Sequence, residues 1–486
     1  MQLAALSLWA TCAAASAIAF QTDAYDAGLF TPIETLSALS NSSYTALAHP
    51  AFPKHSVRVK KSKFCDGTVD AYTGYIDIEA RHLFFYFFES RSNPDEDDVL
   101  FWTNGGPGAP STMGLFWELG PCRATEPEGA TYFEHAWNTN ANIFFVDQPV
   151  GTGWSYADYG ETVSTTEEAA VDIAAFVAVF FEHFVKFKGR KFHFAGESYG
   201  GRFLPLFGAA VYDQNKYLIE QGMTPVNLAS VMIGNGMTEF SSMLLSYYDM
   251  ACTAATIAPV VSISECVKMK QAIPRCEKWL KEACIDSWDA INCGAAYQVC
   301  QDLIDGPYQA LGLNPYDITR PCDGELFSTV CYGSATKNIY NYLNTPSTRA
   351  QLNLDPYFDD KNFTGAAMPV YNAFAANLDG TRQTQLHLAA LLERGVPVLI
   401  YVGMNDYICN WVGNLRFVDA MEWSGQQDFL EAPMDEWAID GERIGLLKTS
   451  GNLTYLTVEG AGHMVPWDRP KEALEMVRRW LYEDNF

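Results

Sequence analysis

Gly196-Glu197-Ser198-Tyr199-Gly200-Gly201 is the stretch on which the reading of this chain turns. It follows Lys191-Phe192-His193-Phe194-Ala195, a β-rich run, and precedes Phe203-Leu204-Pro205-Leu206-Phe207, an apolar run able to start a helix. This is G-x-S-x-G between a strand and a helix. In that context a sharp turn exposes a serine hydroxyl at the end of a sheet and aims backbone N–H groups at the same point. A serine hydroxyl is a weak nucleophile until a base takes its proton, so the motif predicts a histidine and a carboxylate downstream.

Two histidines follow Ser198. His387 sits in Gln385-Leu386-His387-Leu388, a helix-like stretch suited to a surface or core role. His463 sits in Gly460-Ala461-Gly462-His463-Met464-Val465-Pro466, just after a strand pattern, where small residues allow close backbone approach. His463 is therefore the expected base. The acid belongs between serine and histidine, at the end of a strand. Val398–Gly403 is a buried-strand pattern followed by Met404-Asn405-Asp406, and Asp406 fits. Its role would be to orient the imidazole and stabilise the imidazolium. An oxyanion hole needs the N–H after the nucleophile, Tyr199, and one from an earlier Gly-rich loop. Trp102-Thr103-Asn104-Gly105-Gly106-Pro107-Gly108 supplies that loop, with Gly106 as the expected donor.

The 486 residues, 48% hydrophobic and 14% aromatic, fit one large domain or two ordinary ones with a sizeable core. A formal net charge of −26, with no basic cluster beyond Arg58 to Lys63, argues against a nucleic-acid partner. The excess of carboxylates suits an acidic compartment, where self-repulsion falls. Residues 1–19 read as a signal peptide, apolar and closed by Ala17-Ile18-Ala19, although no Lys or Arg precedes Lys54. No other stretch is long and apolar enough to span a membrane. Of the 12 cysteines, Cys12 lies in the leader, which leaves an odd number and implies a free thiol or an intermolecular bond. Cys409, far from the others, is the candidate free thiol. Sequons at Asn41, Asn362 and Asn452 agree with the secretory pathway.

Residues 20–60 are mixed and loop-like, an N-terminal arm or a propeptide. From there the pattern is α/β: a first core part over 61–235 and a second over 345–486. Expected strands include Gly74–Ile78, His82–Glu89, Val99–Thr103, Asn142–Asp147, Ser230–Gly234 and Leu453–Val458. Helices are expected from Thr165 to Lys188 and from Pro470 to Tyr482. Over 236–344 strand signals fade and eight cysteines cluster between Cys252 and Cys331. This reads as an inserted helical cap stapled by disulfides. No His/Cys cluster of zinc spacing is evident, so no metal or cofactor is expected.

The blocks Trp102–Gly108, Glu118-Leu119-Gly120-Pro121, Asp147-Gln148-Pro149-Val150-Gly151, Gly196–Gly201, Asp406-Tyr407-Ile408-Cys409-Asn410-Trp411 and Gly462–Pro466 resemble, in order, those of the serine carboxypeptidases, a branch of the α/β-hydrolases. The resemblance runs from about Tyr72 to the C-terminus. It implies an α/β-hydrolase fold, with a central, mostly parallel twisted sheet, flanking helices and an inserted cap. It implies a serine-type exopeptidase that releases C-terminal amino acids at acidic pH, secreted or held in a vacuole lumen. The alternative is an acyltransferase or esterase on the same scaffold.

The resemblance further implies that Trp102, Asn104, Glu118 and Glu197 grip the free α-carboxylate of the substrate. Two carboxyls forced together cannot both ionise cheaply, so one keeps a proton and can donate it. Cys409 matches the family's free thiol near the active site. Met464 corresponds to a residue of the leaving-group pocket, and Ile408 and Tyr407 are expected to border the neighbouring one. Ala109 stands where many relatives carry a cysteine, which leaves Cys65 and Cys122 to pair with each other. The insertion is expected to pair Cys252–Cys266, Cys276–Cys300, Cys284–Cys293 and Cys322–Cys331. Leu119 replaces an asparagine common in relatives.

Overall fold

The computed structural model describes residues 36–482, apart from residues 66 and 128. The expected leader, with Cys12, and the start of the 20–60 segment lie outside the described residues. The strands are β1 (Thr45–Ala48), β2 (His55–Ser62), β3 (Ala71–Ile78), β4 (Arg81–Phe88), β5 (Val99–Thr103), β6 (Cys122–Glu126), β7 (Gly129–Tyr132), β8 (Asn142–Val146), β9 (Tyr156–Ala157), β10 (Lys191–Ser198), β11 (Asn227–Gly236), β12 (Val398–Gly403), β13 (Asp435–Ile439), β14 (Glu442–Ser450) and β15 (Leu453–Val458). Across the main sheet they run β1-β2-β3-β4-β8-β5-β10-β11-β12-β15-β14-β13, with β9 paired to β4; β6 and β7 form a separate hairpin.

The ladders from β8 through β5, β10, β11 and β12 to β15 are parallel. Those on both flanks are antiparallel. The mostly parallel sheet expected from the resemblance thus holds for the centre, and the sheet as a whole is mixed. Central strands such as Val99–Thr103 and Val398–Gly403 are buried along their whole length, which requires the continuous apolar runs seen in the sequence. In β4, Phe85 and Phe87 enter the core on one face of the sheet, while Phe84, Tyr86 and Phe88 enter the other. The first core is closed by helices Thr166–His183, Gly200–Glu220 and Gln385–Glu393, the second by Gly333–Leu343 and Pro470–Leu481. Thr165 caps the helix Thr166–His183 by accepting from the Glu168 N–H at 3.3 Å, and Glu167 and Glu168 complement its dipole.

Three segments depart from the sequence reading. The segment 20–60, read as loop-like, carries β1 and nearly all of β2. Lys60 and Lys61 give β2 a solvated look, yet Lys60 is buried and donates to the Gln351 carbonyl at 2.8 Å. The hairpins β6–β7 and β13–β14 were not anticipated either. In the second, Asp440 and Gly441 both take positive φ (53° and 82°), the tight turn that Asp-Gly favours.

Between β11 and β12 the named elements are all helical, from Phe240 to Glu393. Phe240–Cys252, Ile263–Leu280 and Ala290–Ile304 pack a third core of their own. Disulfides Cys252–Cys266, Cys276–Cys300, Cys284–Cys293 and Cys322–Cys331 staple this region, and Cys65–Cys122 ties the chain before β3 to β6. The carboxyl ends of β5, β10, β11 and β12 meet along one edge of the sheet beneath this insertion, the place where open α/β sheets carry their sites.

Candidate active site

Ser198 ends β10 and takes a left-handed backbone (φ 61°), strain that a non-glycine residue adopts only where the surrounding fold imposes it. Helix Gly200–Glu220 starts two residues later. The loop after β5 presses directly on this turn: a Cβ on Gly105 would lie 2.3 Å from the Tyr199 nitrogen and 2.6 Å from the Ser198 Cβ. Only glycine permits that approach, and it brings Gly105 and Gly106 to the wall of the cavity that Ser198 and Tyr199 also line.

Asp406, fully buried after β12, accepts from His463 Nδ1 at 2.7 Å. The same carboxylate accepts from Asn235 Nδ2 at 2.8 Å and from the backbone N–H groups of Ile408 (3.1 Å) and Cys409 (3.3 Å). With Nδ1 held by Asp406, the imidazole has Nε2 left for proton transfer, and His463 lines the same cavity as Ser198. The Cys409 thiol lies beside the Ser198 hydroxyl in the wall of this cavity. His463 is held from the insertion: its N–H donates to the Tyr316 carbonyl at 2.8 Å, and a Cβ on Gly462 would meet that carbonyl oxygen at 2.5 Å. Arg320 completes the clip by bridging Asp317 and Asp468, and Asp468 in turn accepts from the Gly462 N–H.

Trp102 Nε1 donates to Asn104 Oδ1 at 2.8 Å, fixing the amide so that Nδ2 donates to Glu118 Oε1 (3.2 Å) and Glu197 Oε1 (3.0 Å). Glu118 comes from the wide helical turn Gly114–Leu119, a geometry frequent at functional sites. Both carboxyls are buried and hydrogen-bonded to each other. Burial pushes Glu118 up to about 7, against hydrogen bonds from Glu197 and Asn104. Burial, the neighbouring Glu118 and more distant Asp406 raise Glu197 well above the usual carboxylate range. The pair therefore holds a proton at neutral pH.

The cavity has a volume of about 440 Å³, and Ile408, Cys409 and Met464 line it. Tyr407, expected to border the pocket, does not line it. Its ring is fully buried, stacked between Tyr247 and Tyr308, and its hydroxyl donates to Asp305 at 3.1 Å, so it backs the wall that Ile408 forms. Cys409 is buried and unpaired as a disulfide; burial, with Asp406 and Glu197 nearby, pushes its thiol well above the ordinary value. Asp406, Cys409 and His463 form the single cluster of metal-ligand type among the described residues, and within it Asp406 and His463 Nδ1 are bonded to each other. Asn41, Asn362 and Asn452 are all exposed. His387 is half-buried in the helix Gln385–Glu393.

Several residues of the site had not been singled out. Asn235, at the end of β11 with φ 40°, holds Asp406 and also accepts from the Gly403 N–H at 2.9 Å. An asparagine between two glycines at a strand's carboxyl end was the available signal. Asp379 accepts from the Tyr199 hydroxyl, and Asp305 stands in the far wall of the cavity. Neither lies in a motif.

The family model described as serine carboxypeptidase matches residues 64–483. Carboxypeptidase Y of Candida albicans is 39% identical over 443 residues, covering 89% of this chain and 77% of that protein. A vacuolar serine-type carboxypeptidase of Saccharomyces cerevisiae is 37% identical, covering 87% and 81%. Among solved structures, a prohormone-processing carboxypeptidase from Saccharomyces cerevisiae superposes with a TM-score of 0.71 at 24% identity, covering 91% of this chain and 96% of that one.

Proposed function

The chain belongs to the serine carboxypeptidase family, and on that premise we propose that Ser198, His463 and Asp406 release the C-terminal residue of peptides through an acyl-enzyme. The observation that carries this reading is the Asp406–His463 contact opening on the cavity that also holds Ser198 and the Asn104–Glu118–Glu197 clamp. The substrate's α-carboxylate docks on Asn104 and the proton-bearing Glu118–Glu197 pair, with Trp102 fixing the amide. A pair that was fully ionised would repel it.

His463 Nε2 takes the Ser198 proton as Oγ attacks the last peptide carbonyl. The N–H groups of Gly106 and Tyr199 receive the oxyanion; losing one such donor costs roughly 10²–10³ in rate. The imidazolium then gives its proton to the leaving amine, and the C-terminal amino acid departs. Water, deprotonated by His463, attacks the acyl-enzyme and regenerates Ser198. Ile408, Cys409 and Met464 shape the walls, with the 236–344 insertion as the cap above them.

The proton on the clamp supports acidic to neutral pH as the working range. The expected leader, the sequons and the disulfides support the secretory pathway, ending outside the cell or in a vacuole. Peptide C-termini are the substrates.

The test uses blocked dipeptides with a free C-terminus and their C-terminal amides. Release of the terminal amino acid, lost on Ser198→Ala and largely lost on amidation, is the expected result. Equal turnover of free acid and amide would overturn the clamp assignment.

A further inference from the structure

The active-site cavity carries three carboxyls, Glu118, Glu197 and Asp305, and none of its described lining residues is Lys or Arg. Glu118 and Glu197 hold each other's proton and face the substrate carboxylate. Asp305 has no such partner. It follows the last turn of helix Ala290–Ile304 and is 6% exposed. Its contacts are neutral: the Tyr407 hydroxyl at 3.1 Å, the Gln309 amide at 3.2 and 3.3 Å, and the Gln301 side chain. A cation is the strongest partner a carboxylate in a cavity wall can take, and here the described lining offers none.

The position of Asp305 says which part of a peptide meets it. The C-terminal residue is tethered at Asn104, Glu118 and Glu197, all on core elements. Asp305 belongs instead to the insertion and packs, through Tyr407, on the Ile408–Cys409 wall that touches the Ser198 hydroxyl. Tyr247 joins the same wall by donating to the Ile408 carbonyl at 2.8 Å. A chain running from the clamp across Ser198 brings the residue before the scissile bond against this wall. Met243, Leu244 and Tyr247 offer it an apolar run, and Gln301, Asp305 and Gln309 offer a polar end. A long aliphatic stem with a terminal cation matches both parts.

We propose that Asp305 makes this enzyme select peptides whose penultimate residue is lysine or arginine. The proposal deepens the carboxypeptidase reading and rests on it. The cation of the substrate pairs with the Asp305 carboxylate, the Gln301 and Gln309 side-chain oxygens accept its remaining protons, and its methylenes lie along Met243 and Leu244.

The experiment compares blocked dipeptides with one shared C-terminal residue and lysine, Nε-acetyl-lysine or norleucine before it, plus a series with norleucine before a terminal lysine or norleucine. In the wild-type enzyme, kcat/KM for penultimate lysine is expected to exceed that for acetyl-lysine and norleucine by about tenfold or more, the scale of a desolvated charge pair. Asp305→Asn keeps the shape and is expected to collapse that ratio towards one, while turnover of the norleucine peptide persists. Wild-type lysine no better than norleucine, a ratio that survives in Asp305→Asn, or a lysine preference confined to the terminal position each overturns the proposal. The substrate series needs no variant, so a misfolded Asp305→Asn leaves the wild-type ratios to decide. Failure to release an amino acid from any peptide overturns the carboxypeptidase reading and this proposal together; activity with an unmoved ratio overturns the proposal alone.

Discussion

The Tyr199 hydroxyl donates to the carboxylate of Asp379, so the residue that follows Ser198 is tethered through its side chain to an acid 180 residues away in sequence. Asp379 also accepts from the Thr166 N–H (2.9 Å) and hydroxyl (2.7 Å) and pairs with Arg202 at 3.5 Å; both partners of that pair are 1% exposed. Asp379→Ala frees the Tyr199 backbone to shift and leaves Arg202 buried without its counter-charge. The expected outcome is a kcat lower by about ten- to a hundredfold, short of the full loss of an oxyanion donor, with KM little changed. Stability is expected to fall by roughly 3–5 kcal/mol, read in denaturant. Tyr199→Phe keeps the ion pair and separates the two effects: kcat falls and stability moves less.

The clamp carboxyls set a pH dependence whose sign follows from their burial. Glu118 stands at about 7 in the folded protein against an ordinary value of 4.5, so the folded state binds more protons than the unfolded one across that window. Its contribution to stability is present below the ordinary value and is lost as pH rises towards about 7. The same ionisation would place negative charge beside the proposed seat of the substrate carboxylate. KM for free-acid peptides is therefore expected to rise as pH passes through about 7, and Glu118→Gln to flatten that rise. Steady-state kinetics from about pH 5 to about pH 9 checks both.

Cys409 is a thiol in the active-site wall without thiolate character, since burial and the neighbouring Asp406 and Glu197 charges oppose its ionisation. Iodoacetamide is expected to react at least about tenfold more slowly than with an exposed cysteine, because the thiolate is the nucleophile. A bulky mercurial, bonded to the same sulfur, would fill the space beside Ser198 and stop turnover. Cys409→Ala is expected to abolish inhibition by the mercurial. Persistence of that inhibition in the variant would remove Cys409 from the explanation.

Cys65–Cys122 closes a loop with a sequence separation of 57. On the chain-entropy account its loss costs about 4 kcal/mol, more than loss of Cys284–Cys293, whose separation is 9. Paired Cys→Ser variants compared by thermal unfolding are expected to show that order.

The centre of the fold was legible because doubly buried strands need unbroken apolar runs, as in Val398–Gly403. The flanks were not. In β2, Lys60 looks solvated but is buried and spends its charge on the Gln351 carbonyl, and the Asp440-Gly441 hairpin signal was present and overlooked. The serine, the histidine and the acid were readable because their order and local context are constrained. Their supports were not, because Asn235 and Asp379 act through contacts across 171 and 180 residues and Tyr316 through a main-chain carbonyl, which leaves no local pattern. Tyr407 was misplaced for a related reason: within the turn after β12 Ile408 faces the cavity, while Tyr407 turns into the insertion and stacks between Tyr247 and Tyr308.

The bond from the His463 N–H to the Tyr316 carbonyl ties the helical insertion to the proposed base. A chimera that grafts a foreign cap onto this core would inherit an idle catalyst unless the donor sequence brought a carbonyl to that same point. Exchange of single helices within the insertion is expected to spare that contact, and exchange of the whole insertion to lose it.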